Sequence, residues 1–358
     1  MAKFKSSGVQ NQNLNFRISY LLNIVLLCIV IFLVFQKKCD DYGEFPPETQ
    51  KPYFIENRQN SEISTTRSKN KPGEVLYDMD VNVNVRLLCM VLTTPKNYKK
   101  KAVHVQATWG RKCNTLVFLS DTSRVLKKPE NLQVIELVGT RGREKLWEKV
   151  KRGMVSVAQS YNGTFDFLLK ADDDTYVVVD NLRNLISRMD PSEEFIFGHK
   201  QNDQGVSYLS GGSGYVMSSS AFNHIVTDGF RKDGPQQCIL PHAEGDEVKV
   251  YPNEDLQMGK CAQLLNINLY NSEINGQSTF FPFKFEQHLV KSLAVGWWLN
   301  RTEECLGVRK SRWEDPASSP KCVSPYVTSM HYVKPHMMYV LQFLTEVFRN
   351  DQRCSSYD

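Results

Sequence analysis

Apolar and polar positions divide the chain into three stretches of different character. From Ile18 to Phe35 the sequence reads ISYLLNIVLLCIVIFLVF, almost wholly apolar, with Asn23 its one strongly polar interruption. A run of that length just spans the hydrocarbon core of a bilayer as a helix. From Gln36 to about Asp80 apolar residues thin out among Pro46-Pro47, Lys51-Pro52 and a Ser/Thr/Lys/Asn stretch from Ser61 to Lys71. That composition cannot bury a core and predicts a flexible stem. Beyond it, β-rich apolar runs alternate with helical patterns. Val85–Thr94, Thr115–Asp121, Gln133–Val138 and Phe165–Lys170 read as buried strands bounded by polar segments. Lys99–Trp109 reads as a helix, and Leu146, Val150, Met154, Val157 and Tyr161 fall at helical spacing along one stripe. Strands alternating with helices predict a largely parallel, helix-covered α/β sheet, whose ligands sit beyond the carboxyl ends of the strands. No internal repeat suggests a solenoid.

Charge orients the first stretch. Lys3, Lys5 and Arg17 precede it with no acid among them, whereas Lys37 and Lys38 are diluted at once by Asp40, Asp41 and Glu44. This bias places the short N-terminus in the cytosol and the rest in the lumen. A cleaved signal peptide is the competing reading, but the apolar run is long and Phe35-Gln36-Lys37 offers no small-residue cleavage site. The expected order is a cytoplasmic tail (1–17), a transmembrane signal anchor (18–35), a stem (36–80), a lumenal folded domain (81–350) and a C-terminal tail (351–358). The 358 residues, 41% hydrophobic, suffice for one sizeable core or two small ones. The net charge of +5 is scattered, so nucleic acid is not an expected partner. With Cys28 in the anchor, eight cysteines remain, an even number without the close spacing of a zinc site, as for disulfides in an oxidising lumen. Asn162-Gly163-Thr164 and Asn300-Arg301-Thr302 are sequons open to glycosylation there.

The most informative stretch is Leu168-Leu169-Lys170-Ala171-Asp172-Asp173-Asp174-Thr175-Tyr176-Val177. Three consecutive carboxylates between apolar runs repel one another unless a cation offsets them. In an extended chain Asp172 and Asp174 project to one side and Asp173 to the other. Such a pair can hold Mn²⁺ or Mg²⁺, with a diphosphate completing the shell. The bland alternative is a solvated acidic turn; a position directly behind a buried strand speaks for the cation.

Lys170–Leu182 (KADDDTYVVVDNL), Ser210-Gly211-Gly212-Ser213-Gly214-Tyr215-Val216, Glu254-Asp255-Leu256 and His331-Tyr332-Val333 closely resemble the core 1 β1,3-galactosyltransferases, relatives of the Fringe-type transferases. Val103-His104-Val105-Gln106-Ala107-Thr108-Trp109, Gly142-Arg143 and Phe281-Pro282-Phe283 before His288-Leu289 match as well, so the resemblance runs from about Val85 to Phe348. It implies a GT-A fold, in which a Rossmann-like nucleotide-binding half merges with an acceptor half, and a Golgi enzyme. The implied reaction moves galactose from UDP-galactose, with Mn²⁺, in β1,3 linkage to GalNAc on Ser/Thr of glycoproteins. The family tends to form dimers, so a homodimer is expected.

By the same resemblance Asp172, Asp174 and His331 are metal ligands and Asp173 contacts the donor. Without it, His331 reads as a satisfied core histidine. Inversion at the sugar needs a base opposite the leaving diphosphate. The matching candidate is Asp255, with Glu254 next in line; the alternative is Asn253 as an N-cap with two acids in the first helical turn. Gly211 and Gly212 are assigned beside the donor sugar, where little bulk lets backbone approach closely. Lys170 and Arg143 are candidate diphosphate or uridine contacts, or else solvated charges. Trp297, Trp298 and Tyr208 offer faces for sugar stacking, or else packing. The family pattern pairs Cys89 with Cys113 and Cys238 with Cys261; Cys305 with Cys322 is a candidate pairing that the pattern leaves open, and Cys39 and Cys354 are left over. Departures are the extra residues Ile239–Tyr251 and the loss of the family's adjacent cysteine pair before His331. These leave the donor site intact and put acceptor choice in question. The alternatives are a Fringe-type GlcNAc transferase, which the donor pocket decides, a paralogue with another acceptor, and a non-catalytic lumenal chaperone, against which the presence of Asp172, Asp174 and His331 speaks.

Overall fold

The computed structural model describes residues 85–123, 125–203, 205–230, 238, 253–274, 277–289 and 323–354, which all belong to one compact unit. The expected anchor and stem, the loop Ile239–Tyr251, Trp297, Trp298, Asn300 and cysteines 39, 305 and 322 lie outside the described residues. Among the described residues no helix is long and apolar enough to cross a membrane.

The strands are β1 (Leu87–Leu92), β2 (Thr115–Ser120), β3 (Val134–Glu136), β4 (Phe167–Asp172), β5 (Tyr176–Val177), β6 (Phe195–Gly198), β7 (Lys200–Asp203), β8 (Val206–Leu209), β9 (Tyr215–Ser218), β10 (Asn268–Asn271), β11 (Glu273–Ile274), β12 (Gln277–Ser278), β13 (Phe280–Lys284) and β14 (Ser329–His331). The helices are α1 (Val103–Ala107), α2 (Leu146–Tyr161), α3 (Val179–Ile186), α4 (Ser219–His224), α5 (Glu254–Leu264), α6 (Phe285–Leu289) and α7 (Pro335–Cys354). Seven strands form one sheet in the order β10-β6-β9-β4-β1-β2-β3. Only β9 runs against its neighbours.

β1 lies between β4 and β2, and its continuous apolar run follows from burial on both faces. Its residues alternate between two cores. Leu87, Cys89 and Val91 pack with Val105, Trp109 and Phe118, while Leu88 and Met90 pack with Val117, Leu119 and the α2 stripe of Val150, Met154 and Val157. Disulfides join Cys89 to Cys113 and Cys238 to Cys261, as the family pattern implies. The four expected strands form with their ends trimmed by at most two residues, except that β4 runs on through Asp172.

Lys99–Trp109 differs from expectation. It divides into a wide turn, the five-residue α1 and a tighter turn from Trp109 to Lys112. Thr108 ends α1 by turning its hydroxyl back to the His104 carbonyl at 2.7 Å. The break lets Trp109 enter the core, where its indole N–H donates to the Thr175 carbonyl at 2.9 Å.

A second, three-stranded sheet, β13-β14-β5, sets the far wall of the site. β5 follows the acidic triplet and pairs antiparallel with β14, Met330 opposite Tyr176. The Val333 N–H donates to the Asp174 carbonyl at 2.8 Å. His331, distant in sequence, is thereby fixed against the triplet.

Candidate active site

The acidic triplet leaves β4 through a tight turn. Thr175 N donates to the Asp172 carbonyl at 3.1 Å, and the Thr175 hydroxyl donates to the Gly212 carbonyl at 2.7 Å. Asp172 and Asp174 do share a side, but through this turn and not through an extended chain. Asp173 points into the fold. It is buried, accepts from Thr93 Oγ1 and Asn97 Nδ2 at 2.8 Å each, and pairs with Lys101 at 3.2 Å. Burial pushes its carboxyl up despite that ammonium.

Asp174 behaves in the opposite way. Burial raises its carboxyl, but His331 and Lys101 outweigh burial and hold it down to about 2. Lys101 Nζ lies 2.9 Å from Asp174 Oδ2, and His331 Nε2 lies 3.4 Å from Asp174 Oδ1. The other ring nitrogen of His331 is 3.0 Å from the Pro282 carbonyl. A carbonyl only accepts, so Nδ1 carries the hydrogen and Nε2 faces Asp174.

One ligand atom each from Asp172, Asp174 and His331 lies within 4.8 Å of the others. Two carboxylate oxygens and an imidazole oriented by a backbone carbonyl suit a divalent cation of the Mn²⁺ or Mg²⁺ kind. Lys101, already at the cluster, offsets part of the carboxylate charge.

The glycine loop explains the closeness of these groups. A Cβ at Gly212 would fall on the His331 ring, and one at Gly211 would stand 3.0 Å from Glu254 Oε2 and 3.1 Å from Lys170 Nζ. The loop is small to admit its own neighbours. Gly211 N–H is taken by Asp255 Oδ2 at 3.0 Å, so it is not open to a ligand. Ser329 Oγ donates to the Ser213 carbonyl and ties the loop to β14.

Beneath the loop lies a buried ion network. Lys170 Nζ reaches Asp172 Oδ1 at 3.0 Å, the Gly211 carbonyl at 3.0 Å and Glu254 Oε2 at 3.2 Å. Its three donors are thus engaged within the protein. Burial opposes its charge, but Asp172 and Glu254 more than compensate and raise its pKa. Lys170 is therefore an internal counter-ion here, not the free diphosphate contact expected from sequence. Tyr215 Oη donates to Glu254 Oε1 at 2.6 Å, so both Glu254 oxygens are occupied and the residue is 2% exposed. Burial pushes the Glu254 carboxyl up.

Asp255, next along α5, is half-buried and faces the loop, with Oδ1 accepting from its neighbour Leu256 N at 2.9 Å. Asn253 stands at the N-cap without a side-chain capping bond. Of the two acids, Asp255 alone combines partial exposure with lone pairs to spare.

Other expected contacts fall elsewhere. Arg143 is exposed on the short turn Arg143–Lys145 ahead of α2 and makes no ion pair with the described residues. Tyr208 is buried on β8 beneath α5, where a Cβ at Gly259 would meet it, so it serves packing. Sequence reasoning missed Lys101, Thr93, Asn97 and the Pro282 carbonyl. Lys101 stood in a run of three lysines with nothing to single it out; only the turn at Tyr98–Ala102 aims it at the triplet.

This is an α/β protein with a divalent-cation-type cluster at the carboxyl end of a central strand. A family profile described as Fringe-like matches residues 84–276. Over 282 residues the chain is 31% identical to glycoprotein-N-acetylgalactosamine 3-beta-galactosyltransferase 1 of Xenopus laevis, covering 76% of this chain and 69% of that protein. It is 24% identical over 121 residues to N-acetyllactosaminide beta-1,3-N-acetylglucosaminyltransferase 4 of Mus musculus, covering 28% of this chain and 30% of that one. Among solved structures it is similar to the galactosyltransferase LgtC in complex with donor and acceptor sugar analogues, at a TM-score of 0.37 and 11% identity, over 69% of this chain and 87% of that one. The chain belongs to the Fringe-like family of glycosyltransferases, in its core 1 β1,3-galactosyltransferase branch.

Proposed function

We propose that this protein is an inverting, Mn²⁺-dependent β1,3-galactosyltransferase of GT-A fold. In this reading it takes galactose from UDP-galactose and places it on GalNAc-α-Ser/Thr of glycoproteins. The observation that carries the reading is the Asp172–Asp174–His331 cluster, with Asp255 across the glycine loop from it. The named activity of the Xenopus laevis relative supports the donor and acceptor.

Each residue then has a defined task. Asp172, Asp174 and His331 hold the cation, which when bound neutralises charge developing on the leaving diphosphate. Lys101, partly exposed beside Asp174, is the ammonium placed to meet a phosphate oxygen. Asp173 and Lys170 frame the turn from inside. Asp255 accepts the proton of the acceptor hydroxyl as that oxygen attacks the anomeric carbon from the face opposite UDP, which inverts an α-linked donor to a β-linked product. Its two backbone hydrogen bonds orient the carboxylate for that single displacement.

The same proposal puts the catalytic domain (81–350) in the Golgi lumen, anchored by residues 18–35 as a single-pass type II protein, and acting as a homodimer. A Fringe-like GlcNAc transferase is the second reading, motivated by the partial match to the Mus musculus N-acetylglucosaminyltransferase. A non-catalytic chaperone has no need of an assembled Asp–Asp–His cluster.

The test is a radiolabel transfer assay on the full chain with UDP-galactose, UDP-GlcNAc and UDP-GalNAc, a GalNAc-Thr peptide, and Mn²⁺ present or removed. Mn²⁺-dependent galactose transfer is expected. GlcNAc transfer would favour the second reading, and folded protein with neither transfer nor UDP binding would overturn the enzyme assignment.

A further inference from the structure

The Phe281-Pro282-Phe283 and His288 motif has no task in the reaction described above, yet it abuts the cluster. β13 and β14 run in parallel, Phe280 opposite Ser329 and Phe281 opposite Met330, until the register slips and Lys284 comes opposite His331. Pro282 and Phe283 fill that bulge. Bulges leave backbone groups outside the ladder and re-aim what they carry. Here three backbone groups at the bulge have side-chain partners. The Pro282 carbonyl accepts from His331 Nδ1 at 3.0 Å. Phe283 N–H donates to His288 Nε2 at 3.2 Å, and Lys284 N–H donates to Gln287 Oε1 at 3.2 Å. Two of these three bonds come from α6, which follows β13 without a break.

His288 also grips the bulge by its rings. It stacks on Phe283 with centroids 5.4 Å apart and an interplanar angle of 18°, and meets Phe281 edge-on at 5.0 Å. Because Phe283 N–H can only donate, Nε2 of His288 is an unprotonated acceptor. Burial, aided by the nearby His199, holds the ring pKa down to about 3, which favours this neutral form.

We propose that His288 is a positioning residue for the metal centre: by holding the Pro282-Phe283 bulge it presents the Pro282 carbonyl to His331 and so raises affinity for the divalent cation. The inference rests on the reading of Asp172, Asp174 and His331 as cation ligands. It adds an outer layer, since His288 touches neither cation nor substrate. Groups that orient a ligating imidazole change metal affinity by about 10- to 100-fold, and a residue acting one bond further out belongs at the lower end.

The decisive variant is His288→Phe, which keeps an aromatic ring against Phe281 and Phe283 but removes the acceptor. Mn²⁺ binding in the presence of UDP is followed by electron paramagnetic resonance of the free ion, beside kcat and the Mn²⁺ concentration for half activity. The expected result is about tenfold weaker Mn²⁺ binding, a matching rise in half-activating Mn²⁺, and an unchanged kcat at saturating metal. His288→Gln, whose amide oxygen can accept from Phe283 N–H, recovers most of the affinity. Wild-type Mn²⁺ affinity in His288→Phe overturns the proposal, and so does a fall in kcat that saturating Mn²⁺ fails to restore. If wild-type protein itself binds no Mn²⁺, the metal reading fails and this inference with it. Should His288→Phe not fold, ¹⁵N-labelled wild-type protein decides. The Nε2 resonance of His288 moves on adding Mg²⁺ and UDP if the bulge and cation are linked, and a stationary resonance overturns the proposal.

Discussion

Gly212 offers the sharpest test of the cluster, because its side-chain space is already occupied by His331. In Gly212→Ala the new methyl falls against Cε1 and Nδ1 of the imidazole and stands 2.8 Å from Nε2. Ordinary contact needs about 3.4 Å or more, so the ring must retreat by about 0.6 Å at Nε2 and further at the other two atoms. It has little freedom to do so. Nδ1 is bonded to the Pro282 carbonyl at 3.0 Å, and the ring stacks on Tyr332 with centroids 3.8 Å apart. The retreat takes Nε2 away from the point shared with Asp172 and Asp174. An error of this size in one ligand predicts a loss of about 10- to 100-fold in Mn²⁺ affinity, comparable to removing an outer-shell partner. The fold should tolerate it at a cost of about 1–3 kcal/mol, as for one inserted methyl in packed surroundings. Mn²⁺ titration in the presence of UDP, beside a thermal melt, reads both. A folded Gly212→Ala protein with wild-type Mn²⁺ affinity would refute the placement of His331 as a ligand.

The neighbouring residues separate by readout. Asp174→Ala should abolish Mn²⁺-dependent UDP binding while the fold survives; unchanged UDP affinity by calorimetry would contradict it. Asp255→Asn should spare donor binding and lower kcat by about 100-fold or more, whereas survival of kcat would reduce Asp255 to a helix-start residue. Lys101→Met should weaken UDP binding by about tenfold at low salt and by less at high salt, which a salt series of binding isotherms checks. Stability should fall as pH drops from about 6.5 toward 4. Burial lowers the His199 pKa to about 4, outweighing a backbone contact at Phe280, so the unfolded chain takes up the proton first. The slope is up to about 1.4 kcal/mol per pH unit for each such histidine. Denaturant melts of His199→Phe at pH 7 and pH 5 should show a flatter dependence, and an equal slope would contradict it.

The sheet was legible in the sequence because its central strands are buried on both faces and read as unbroken apolar runs. The long helix α2 was legible because Val150, Met154 and Val157 keep one stripe. The Lys99–Trp109 segment was not, since its geometry answers to the burial of Trp109 under Thr175, a contact 66 residues away. The acidic triplet shows the same division. Its chemistry could be read from three adjacent carboxylates, but the direction of each side chain depends on the Asp172–Thr175 turn and on partners from the β1–α1 connection. Lys170 was misread for a related reason. A lysine two residues before a metal motif looks like a phosphate ligand until Glu254, 84 residues later, is seen to enclose it.

Glu254 and Asp255 divide structure from function at one helix start. They are adjacent acids at the start of α5, and spacing alone cannot rank them as base. Successive side chains at a helix start diverge by about 100° around the axis, so two neighbours face different surroundings. Glu254 turns inward to Lys170 and Tyr215, where its carboxylate completes a buried ion network. Asp255 turns to the loop edge, where Gly211 N–H holds it in partial contact with solvent. Glu254→Gln should therefore act chiefly on stability, since it strips a buried ammonium of one partner at a cost of about 3 kcal/mol, and Asp255→Asn chiefly on turnover. The two variants together distinguish a charge that builds the site from a charge that works in it: a stable but inactive Glu254→Gln, with a fully active Asp255→Asn, would exchange the roles.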